Sequence, residues 1–535
     1  MRLINEASSE KLRGGFYTPA PIASFILRWA FNGKKDLNIL EPSCGDGVFL
    51  EEIKKENYQY NSITAIEFDA IEAQKSKEIK LDNTTIINSD FHQYCMETKE
   101  KFDLVIGNPP YIRYQYFDRE QQQYASQIFE KSDMKYSKLT NAWVSFVVGS
   151  SQLLKNEGKI AFVLPAEILQ VSYAKPLREF LAHFYNKVNI VSFEKLVFPH
   201  IQQEVILLLC EKNNSYKHLI EHLELRDASE LKELDVAKLK SPKKKIDFKS
   251  NKWTFYFLEQ EEIDFLERLQ KSKVIKKIGH YAKVEVGITT GSNPFFTVPL
   301  STVKEYELEK YAKPLVGRSV QVPSVIFTDD DWKKNREIEA RTHLLIFPKM
   351  QELKEKAKEY IAYGESENIH KGYKCRIRDE WQIVPSLRIS DALFIRRNNK
   401  YPKLIINQAK AYTTDTMHRV TVKEDINLEA LTASYYNSIS LAFSEICGRS
   451  HGGGVLELMP NEVEEILLPY DENNDKLLPI IDKMIREKRD ISKILEITNE
   501  KILKSNLGFS KEDIALADKI WKKLSTRRLN RGKKK

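Results

Sequence analysis

The sequence predicts an α/β protein. An open, largely parallel sheet occupies the first 240 residues, followed by a mixed α/β domain and C-terminal helices. Three observations carry this reading. Short apolar runs alternate with helix-like segments from Leu37 to Cys210, the pattern of a sheet wound through crossover helices. The first run leads through Gly45-Asp46-Gly47 into a helical start, the layout of a ligand-binding strand, turn and helix. A later run, Asp103-Leu104-Val105-Ile106-Gly107, passes directly into Asn108-Pro109-Pro110-Tyr111, where two prolines can neither extend a ladder nor enter a helix.

Taken in order, Leu37 to Leu50 reads as strand, glycine turn and helix. Gly45 and Gly47 let backbone approach a ligand closely, and Asp46 favours a cationic or hydroxyl-rich ligand over a pyrophosphate. A plain strand-to-helix turn is the competing reading. Ser62 to Glu67 is a second strand, ending in an acid about twenty residues on, where a carboxylate binds ribose hydroxyls. Thr84 to Phe91 is a third; Asp90 and Phe91 at its end suit the edge and face of an adenine. Taken singly, Asp90 reads as a helix N-cap and Phe91 as a core residue. All these groups fall at the carboxyl ends of successive strands, where open α/β sheets bind ligands. One adenosine-containing cofactor accounts for them together.

Beyond the fourth strand the backbone is stiff, and the Asn108 side-chain oxygen and Pro109 carbonyl stand as fixed acceptors beside Tyr111. Such a group suits a planar ligand with an exocyclic amine: the acceptors take its two N–H bonds and the tyrosine ring stacks on it. The plain alternative is a strand terminator next to a surface tyrosine.

Further strands are expected near Lys159 to Leu164, Val188 to Phe193 and Glu204 to Cys210, the last two joined through a loop containing Phe198. Ile112 to Thr140 is a polar insertion with Tyr114, Tyr116, Tyr124 and Tyr136, read as part helical cap and part loop. Ser241-Pro242-Lys243-Lys244-Lys245 marks a linker. The expected domains are residues 1–240, 253–470 and 471–535. In the last of these, the spacing of Leu477, Ile481, Met484, Ile485, Ile491, Ile494, Leu495 and Ile497 predicts amphipathic helices.

The motif order is similar to that of the gamma-class, Taq-type, N6-adenine DNA methyltransferases of restriction-modification systems. Gly14-Gly15-Phe16-Tyr17-Thr18-Pro19 resembles family motif X, and Leu40-Glu41-Pro42-Ser43-Cys44-Gly45-Asp46-Gly47 resembles motif I. Asn108 to Tyr111 resembles the catalytic tetrapeptide, and Leu196-Val197-Phe198-Pro199 the segment whose phenylalanine covers the extruded base. The resemblance implies a Rossmann-like domain dependent on S-adenosyl-L-methionine, with Tyr17, Thr18, Glu41, Ser43, Gly45, Glu67, Asp90, Phe91 and Asn108 around the cofactor. It implies Asn108, Pro109, Pro110 and Tyr111 as the catalytic group and Tyr111 and Phe198 as stacking residues. No metal is required, because the sulfonium supplies the leaving group.

Val286-Gly287-Ile288-Thr289-Thr290-Gly291-Ser292-Asn293 and Gly452-Gly453-Gly454-Val455-Leu456-Glu457-Leu458-Met459-Pro460 resemble elements that open and close target-recognition domains. Between them lie the DNA-binding candidates Lys371, Lys374, Arg376, Arg378, Arg388, Arg396 and Arg397 in a basic and aromatic setting; a solvated charged face is the competing reading for each. The implied partner is double-stranded DNA, with a cognate restriction endonuclease acting separately and the methyltransferase itself a monomer. The rival readings are a noncatalytic DNA-recognition component, an RNA adenine-N6 methyltransferase and a protein glutamine methyltransferase. The size of residues 253–470 argues against the RNA and glutamine readings, and intact Asn108 and Glu67 against the first.

Composition agrees with these expectations without generating them. At 42% hydrophobic and 30% charged residues the chain has the balance of a globular protein. No apolar run is long enough to span a bilayer, and the amino terminus lacks a secretory pattern, so the cytoplasm is the expected compartment. Cys44, Cys95, Cys210, Cys375 and Cys447 form no Cys-x-x-Cys pair, so reduced thiols are expected. The formal charge is +8, and eight basic residues with no acid lie between Lys522 and Lys535. Any DNA surface therefore depends on charge segregation within the fold. The segment Arg527 to Lys535 reads as a disordered basic tail.

Overall fold

The computed structural model describes residues 18–112, 116–135, 140–198, 204–213, 218–235, 243–246, 252–451 and 453–531. They form two compact units that divide between Ile263 and Asp264.

In the first unit, strands β1 (Asn38–Glu41), β2 (Ser62–Glu67), β3 (Thr84–Asn88), β4 (Phe102–Gly107), β5 (Leu154–Pro165), β6 (Lys187–Phe193), β7 (Val205–Glu211), β8 (Leu219–Leu225) and β9 (Lys244–Lys245) build one sheet. Its order is β3-β2-β1-β4-β5-β7-β6-β8-β9. Strands β1 to β5 are mutually parallel, and β7 runs antiparallel between β5 and β6. The chain order reverses at β1, whose neighbours are β2 and β4. A crevice opens at such a switch point beyond the carboxyl ends of the strands.

Helices α1 (Ala20–Phe31), α2 (Val48–Lys55), α3 (Ala70–Glu78), α4 (Phe91–Glu97), α5 (Arg119–Glu130), α6 (Ala142–Gln152) and α7 (Lys175–Phe184) accompany the sheet. Period-two alternation sends Ile39, Ile63, Leu104, Ile106 and Val163 into one core with Ile22, Phe25, Phe49 and Ile53. Leu40, Val105, Ile160 and Phe162 on the opposite face are buried as well, as a parallel sheet covered on both sides requires. Each such side chain contributes roughly 1.5–3 kcal/mol by leaving water.

The turn between β1 and α2 depends on glycine at position 47. Its φ of +95° is left-handed, and a Cβ there would lie 2.3 Å from Ile79 Cδ1 and 2.9 Å from Ser76 Oγ. The turn therefore lies directly on α3, leaving the other side of the loop to a ligand.

In the second unit a five-stranded sheet runs in the order Ala282–Val286, Met417–Val422, Ala392–Ile395, Leu404–Asn407 and Ile326–Phe327. A four-stranded sheet of Thr297–Val298, His343–Leu345, Ala312–Val316 and Tyr412–Thr413 accompanies it. A smaller sheet joins Arg397–Asn398, Val455–Glu457 and Arg449–His451. Gly287 is fixed by packing: a Cβ would stand 2.0 Å from the Thr414 carbonyl oxygen.

Helices Leu478–Arg486 and Ile491–Thr498, a π-helical stretch Asn499–Asn506 and a long helix Lys511–Arg531 complete the unit. The expectation of a disordered tail from Arg527 is corrected here, because the last helix continues through Arg531. Ala517, Ile520, Trp521 and Leu524 bury one stripe of it. Arg528, only 2% exposed, pairs with Glu445 through Nε at 2.9 Å and Nη2 at 2.6 Å and donates to the carbonyls of Asn399, Gly454 and Lys400. Residues 532–535 lie outside the described residues, and no described helix is long and apolar enough to cross a membrane.

Candidate active site

Beyond the carboxyl ends of β1 to β4 lies a cavity of about 440 Å³. Its walls bring together Thr18, Glu41, Ser43, Gly45, Glu67, Asp90, Phe91 and Asn108, drawn from widely separated points of the chain. Tyr17, the other residue expected there, lies outside the described residues.

Glu41 ends β1 and is buried, yet neither carboxylate oxygen has a hydrogen-bond partner among the described residues. Burial pushes its pKa well above the ordinary carboxylate value, and the nearby charges of Glu67 and Asp46 push it further. A buried acid without a partner is costly to ionise, and a cation placed beside it would relieve that cost. Asp46, Glu67, Asp69 and Glu72 line the same cavity, so the wall is anionic and unsuited to a pyrophosphate.

Glu67 is held at the end of β2 by two backbone donors, Gly45 N–H to Oε2 and Asp69 N–H to Oε1, both at 2.8 Å. Burial nevertheless raises its pKa. The contact with Gly45, whose φ is +54°, couples the strand-end acid to the glycine turn. Ser43 Oγ donates to the Asn108 carbonyl at 3.2 Å, tying the turn after β1 to the tetrapeptide after β4.

Asp90 is both an N-cap and a cavity residue. Its Oδ1 accepts the His92 and Gln93 backbone N–H groups at the start of α4, at 2.8 and 3.2 Å, while Oδ2 accepts from Gln121 Nε2 at 2.9 Å. Burial acts to raise its pKa, but hydrogen bonds from His92, Gln121 and Gln93 outweigh it and hold the carboxyl below its usual value. Phe91 stacks on Phe146 with centroids 4.8 Å apart, so it too belongs to both core and cavity.

The tetrapeptide leaves the sheet beside the cavity, which Asn108 and Pro110 line. The Tyr111 hydroxyl donates to the Val163 carbonyl on β5 at 3.1 Å, fixing the ring plane, and burial pushes the phenol pKa up. Tyr111 packs against the core cluster that contains Phe198, itself only 7% exposed. In this structure Phe198 is therefore a core side chain with little exposed face.

Several cavity residues carry no signal in the sequence that singles them out. Phe68, directly after Glu67, is 67% exposed at the cavity wall. His92 packs edge-on to Phe117 and Phe146 and has Nε2 2.8 Å from Ser145 Oγ. Tyr116, Phe117 and Gln121 enter from the insertion after the tetrapeptide, whose helical part is α5. The start of α5 is legible in Asp118-Arg119-Glu120-Gln121, a capping-box spacing; its docking on Asp90 is not.

The expected DNA-binding residues lie in the second unit and differ in their surroundings. Arg378 donates to the carbonyls of Thr290 at 2.7 Å, Thr289 at 3.2 Å and Trp381 at 3.1 Å. Arg388 bonds Glu285 and Thr421, and Arg396 and Arg397 share Glu457 with His451. Lys371, Lys374 and Arg376 are exposed on the segment around helix Tyr373–Arg376.

Comparison with known proteins accounts for both units. Residues 21–198 match the Eco57I restriction-modification methylase model, and residues 250–503 match the C-terminal domain of the Type II methyltransferase M.Eco57I. The chain belongs to the Eco57I-type restriction-modification methylases. The Type II methyltransferase M.AccI of Acinetobacter calcoaceticus is 25% identical over 513 residues, covering 88% of this chain and 93% of that protein. M.XamI of Xanthomonas campestris pv. amaranthicola is 21% identical across 86% of both. M.HincII of Haemophilus influenzae matches at 27% identity over 42% of each chain, so this methylase spans less than half of that relative. Among solved structures, a nuclease-deletion mutant of the Type ISP restriction-modification enzyme LlaGI shares the fold at a TM-score of 0.51 and 12% identity, over 89% of this chain and 55% of its own. Membership makes the chain a restriction-modification DNA methyltransferase.

Proposed function

We propose that this methylase transfers a methyl group from S-adenosylmethionine to the N6 amine of an adenine rotated out of double-stranded DNA, marking the DNA against a companion endonuclease. The observation that carries the reading is that Asn108 and Pro110 of the Asn108-Pro109-Pro110-Tyr111 segment line an acid-walled cavity at the switch point of the parallel strands.

The cofactor fits the residues present. Its ammonium and sulfonium charges suit the unpartnered Glu41 carboxylate and the anionic wall. Glu67 has accepting capacity left for ribose hydroxyls, and Asp90 with Phe91 and Phe68 offers one acceptor and two aromatic surfaces for an adenine. When bound, S-adenosylmethionine supplies an activated methyl group on a good leaving group.

The protein's task is to make a poor nucleophile react. An aromatic amine has its lone pair delocalised into the ring; the Asn108 side-chain oxygen and the Pro109 carbonyl, each taking one N–H, draw the nitrogen toward tetrahedral geometry and aim the lone pair. Pro109 and Pro110 keep these acceptors rigid, so little reorganisation is needed. Tyr111, tethered to Val163, supplies a stacking face that offsets part of the cost of unstacking the base, at roughly 1–3 kcal/mol.

Methylome sequencing of DNA from cells expressing the chain tests the reading. N6-methyladenine at one recurrent sequence is the expected result. N4-methylcytosine would reassign the base, since cytosine presents a similar amine, and unmodified DNA would overturn the reading.

A further inference from the structure

We propose that the turn from Lys371 to Ile377 is the phosphate-contacting surface of the second unit, and that Arg378, Arg388 and Arg396 shape this unit without touching nucleic acid. The proposal rests on the DNA reading above and deepens it by dividing six of the seven basic candidates into two groups.

The division follows from what each cation already bonds. Arg388 is committed to Glu285 at 2.6 Å and Thr421 at 2.7 Å, and Arg396 to Glu457 at 2.9 Å. Turning either toward a phosphate would leave its carboxylate partner facing the same phosphate, which is repulsive. Arg378 spends its guanidinium on three backbone carbonyls, and burial lowers its pKa. Lys371, Lys374 and Arg376, by contrast, make no side-chain hydrogen bond or ion pair among the described residues and are exposed.

The turn is also built as a rigid platform. Cys375 is its inward anchor: a Cβ on Gly291, whose φ is +92°, would lie 2.7 Å from Cys375 Sγ. Arg378 grips the same Thr289 to Gly291 loop by its carbonyls. With Cys375 inside, the remaining side chains turn outward, including Tyr373 at 55% and Ile377 at 59% exposure. From His370 to Arg378 there is no acidic residue. Cations without an acidic partner, interleaved with exposed apolar side chains on a fixed backbone, suit a duplex: cations meet phosphates, and Tyr373 and Ile377 pack on the sugars between them. Because phosphate contacts are blind to sequence, this surface sets affinity and register, and base choice falls to neighbouring elements.

The test is a salt series of duplex binding by the full chain, read by fluorescence anisotropy in the presence of S-adenosylhomocysteine. A Lys371→Ala, Lys374→Ala, Arg376→Ala triple variant should melt as the native protein does, because among the described residues none of these side chains makes a hydrogen bond or ion pair and Lys374 meets only the exposed ring of its neighbour Tyr373. Its log–log salt slope should fall by about 2–3, near 0.9 for each phosphate that is no longer neutralised. Tyr373→Ala should weaken binding several-fold with the slope unchanged, and Arg388→Ala and Arg396→Ala should keep the native slope. A triple variant with the native slope, or one that melts early, overturns the proposal while leaving the DNA reading intact. If the native chain shows no salt-dependent duplex binding, the DNA reading falls and takes the proposal with it.

Discussion

Gln121 Nε2 donates to Asp90 Oδ2 across 2.9 Å, while Gln121 Oε1 accepts the Asp118 N–H at 3.2 Å. Two helix starts therefore meet at one hydrogen bond: Asp90 caps α4, and the Asp118–Gln121 pair caps α5. Gln121 is a positioning residue, carrying the segment after the tetrapeptide onto the acid proposed to read the cofactor's adenine. Gln121→Ala should weaken S-adenosylhomocysteine binding about tenfold in calorimetric titration, in line with a hydrogen bond to a charged group at about 1.5–3 kcal/mol. Unchanged affinity would reduce this bond to helix capping alone.

Asn108→Ala should separate binding from chemistry. The tie from Ser43 reaches the Asn108 backbone carbonyl, which the substitution keeps, so the loop should hold its shape. Turnover under saturating cofactor and DNA should fall by at least about a hundredfold, the scale seen when one preorganised charge-stabilising group is removed. Cofactor affinity should change little. Single-turnover methylation near the native rate would remove Asn108 from the chemistry.

Glu41→Gln is expected to trade stability against ligand binding. A carboxyl whose folded pKa is raised contributes stability that is full below its unfolded pKa and is lost as pH rises through the folded value. At neutral pH the buried Glu41 carboxyl therefore weakens the ligand-free fold, and the neutral amide should raise the melting temperature. The gain should shrink as the pH falls toward the ordinary carboxylate range. S-adenosylmethionine affinity should drop by at least about tenfold, since a charge pair of roughly 1.5–3 kcal/mol is removed. Calorimetry at two pH values, with and without ligand, reads both effects; an amide variant that binds as tightly as the native protein would dissociate Glu41 from the cofactor's cation.

Arg528→Ala should be among the most damaging substitutions in the second unit. It strands Glu445 as a buried unpaired carboxylate and frees the carbonyls of Asn399 and Gly454. Breaking a buried pair in this way costs about 3–5 kcal/mol. Urea titration should show that loss in the transition of the second unit. Arg528→Lys should recover only part, because a lysine cannot serve the carboxylate and the carbonyls together.

The first unit is legible in the sequence because its elements obey local rules. The β1 to β4 segments read as short strands between helices, and the acids Glu41, Glu67 and Asp90 fall at or just past their ends. What stays hidden reaches the cavity from elements without a motif. Gln121 looks like any polar residue in an insertion, and Phe146 like a core residue of α6; only tertiary packing brings them to Asp90 and Phe91. The tail reads as disordered only while its run of charges is weighed before its periodicity. Ala517, Ile520, Trp521 and Leu524 spell a buried helical stripe, and Arg528 continues it one turn on. Among the basic candidates, residue type cannot distinguish Arg378, which holds a loop, from Arg376, which does not.

Arg528 also gives the chain an order in time. The unit with the cavity is drawn from contiguous sequence ending at Ile263, so it can fold while the rest is still being synthesised. The other unit cannot do the same: its buried Glu445, the Asn399 carbonyl and the Gly454 turn wait for a guanidinium delivered only at position 528. In chain order, then, every residue that lines the cavity precedes every member of the Arg528 network of the second unit, so the first unit can complete its fold without waiting on that network.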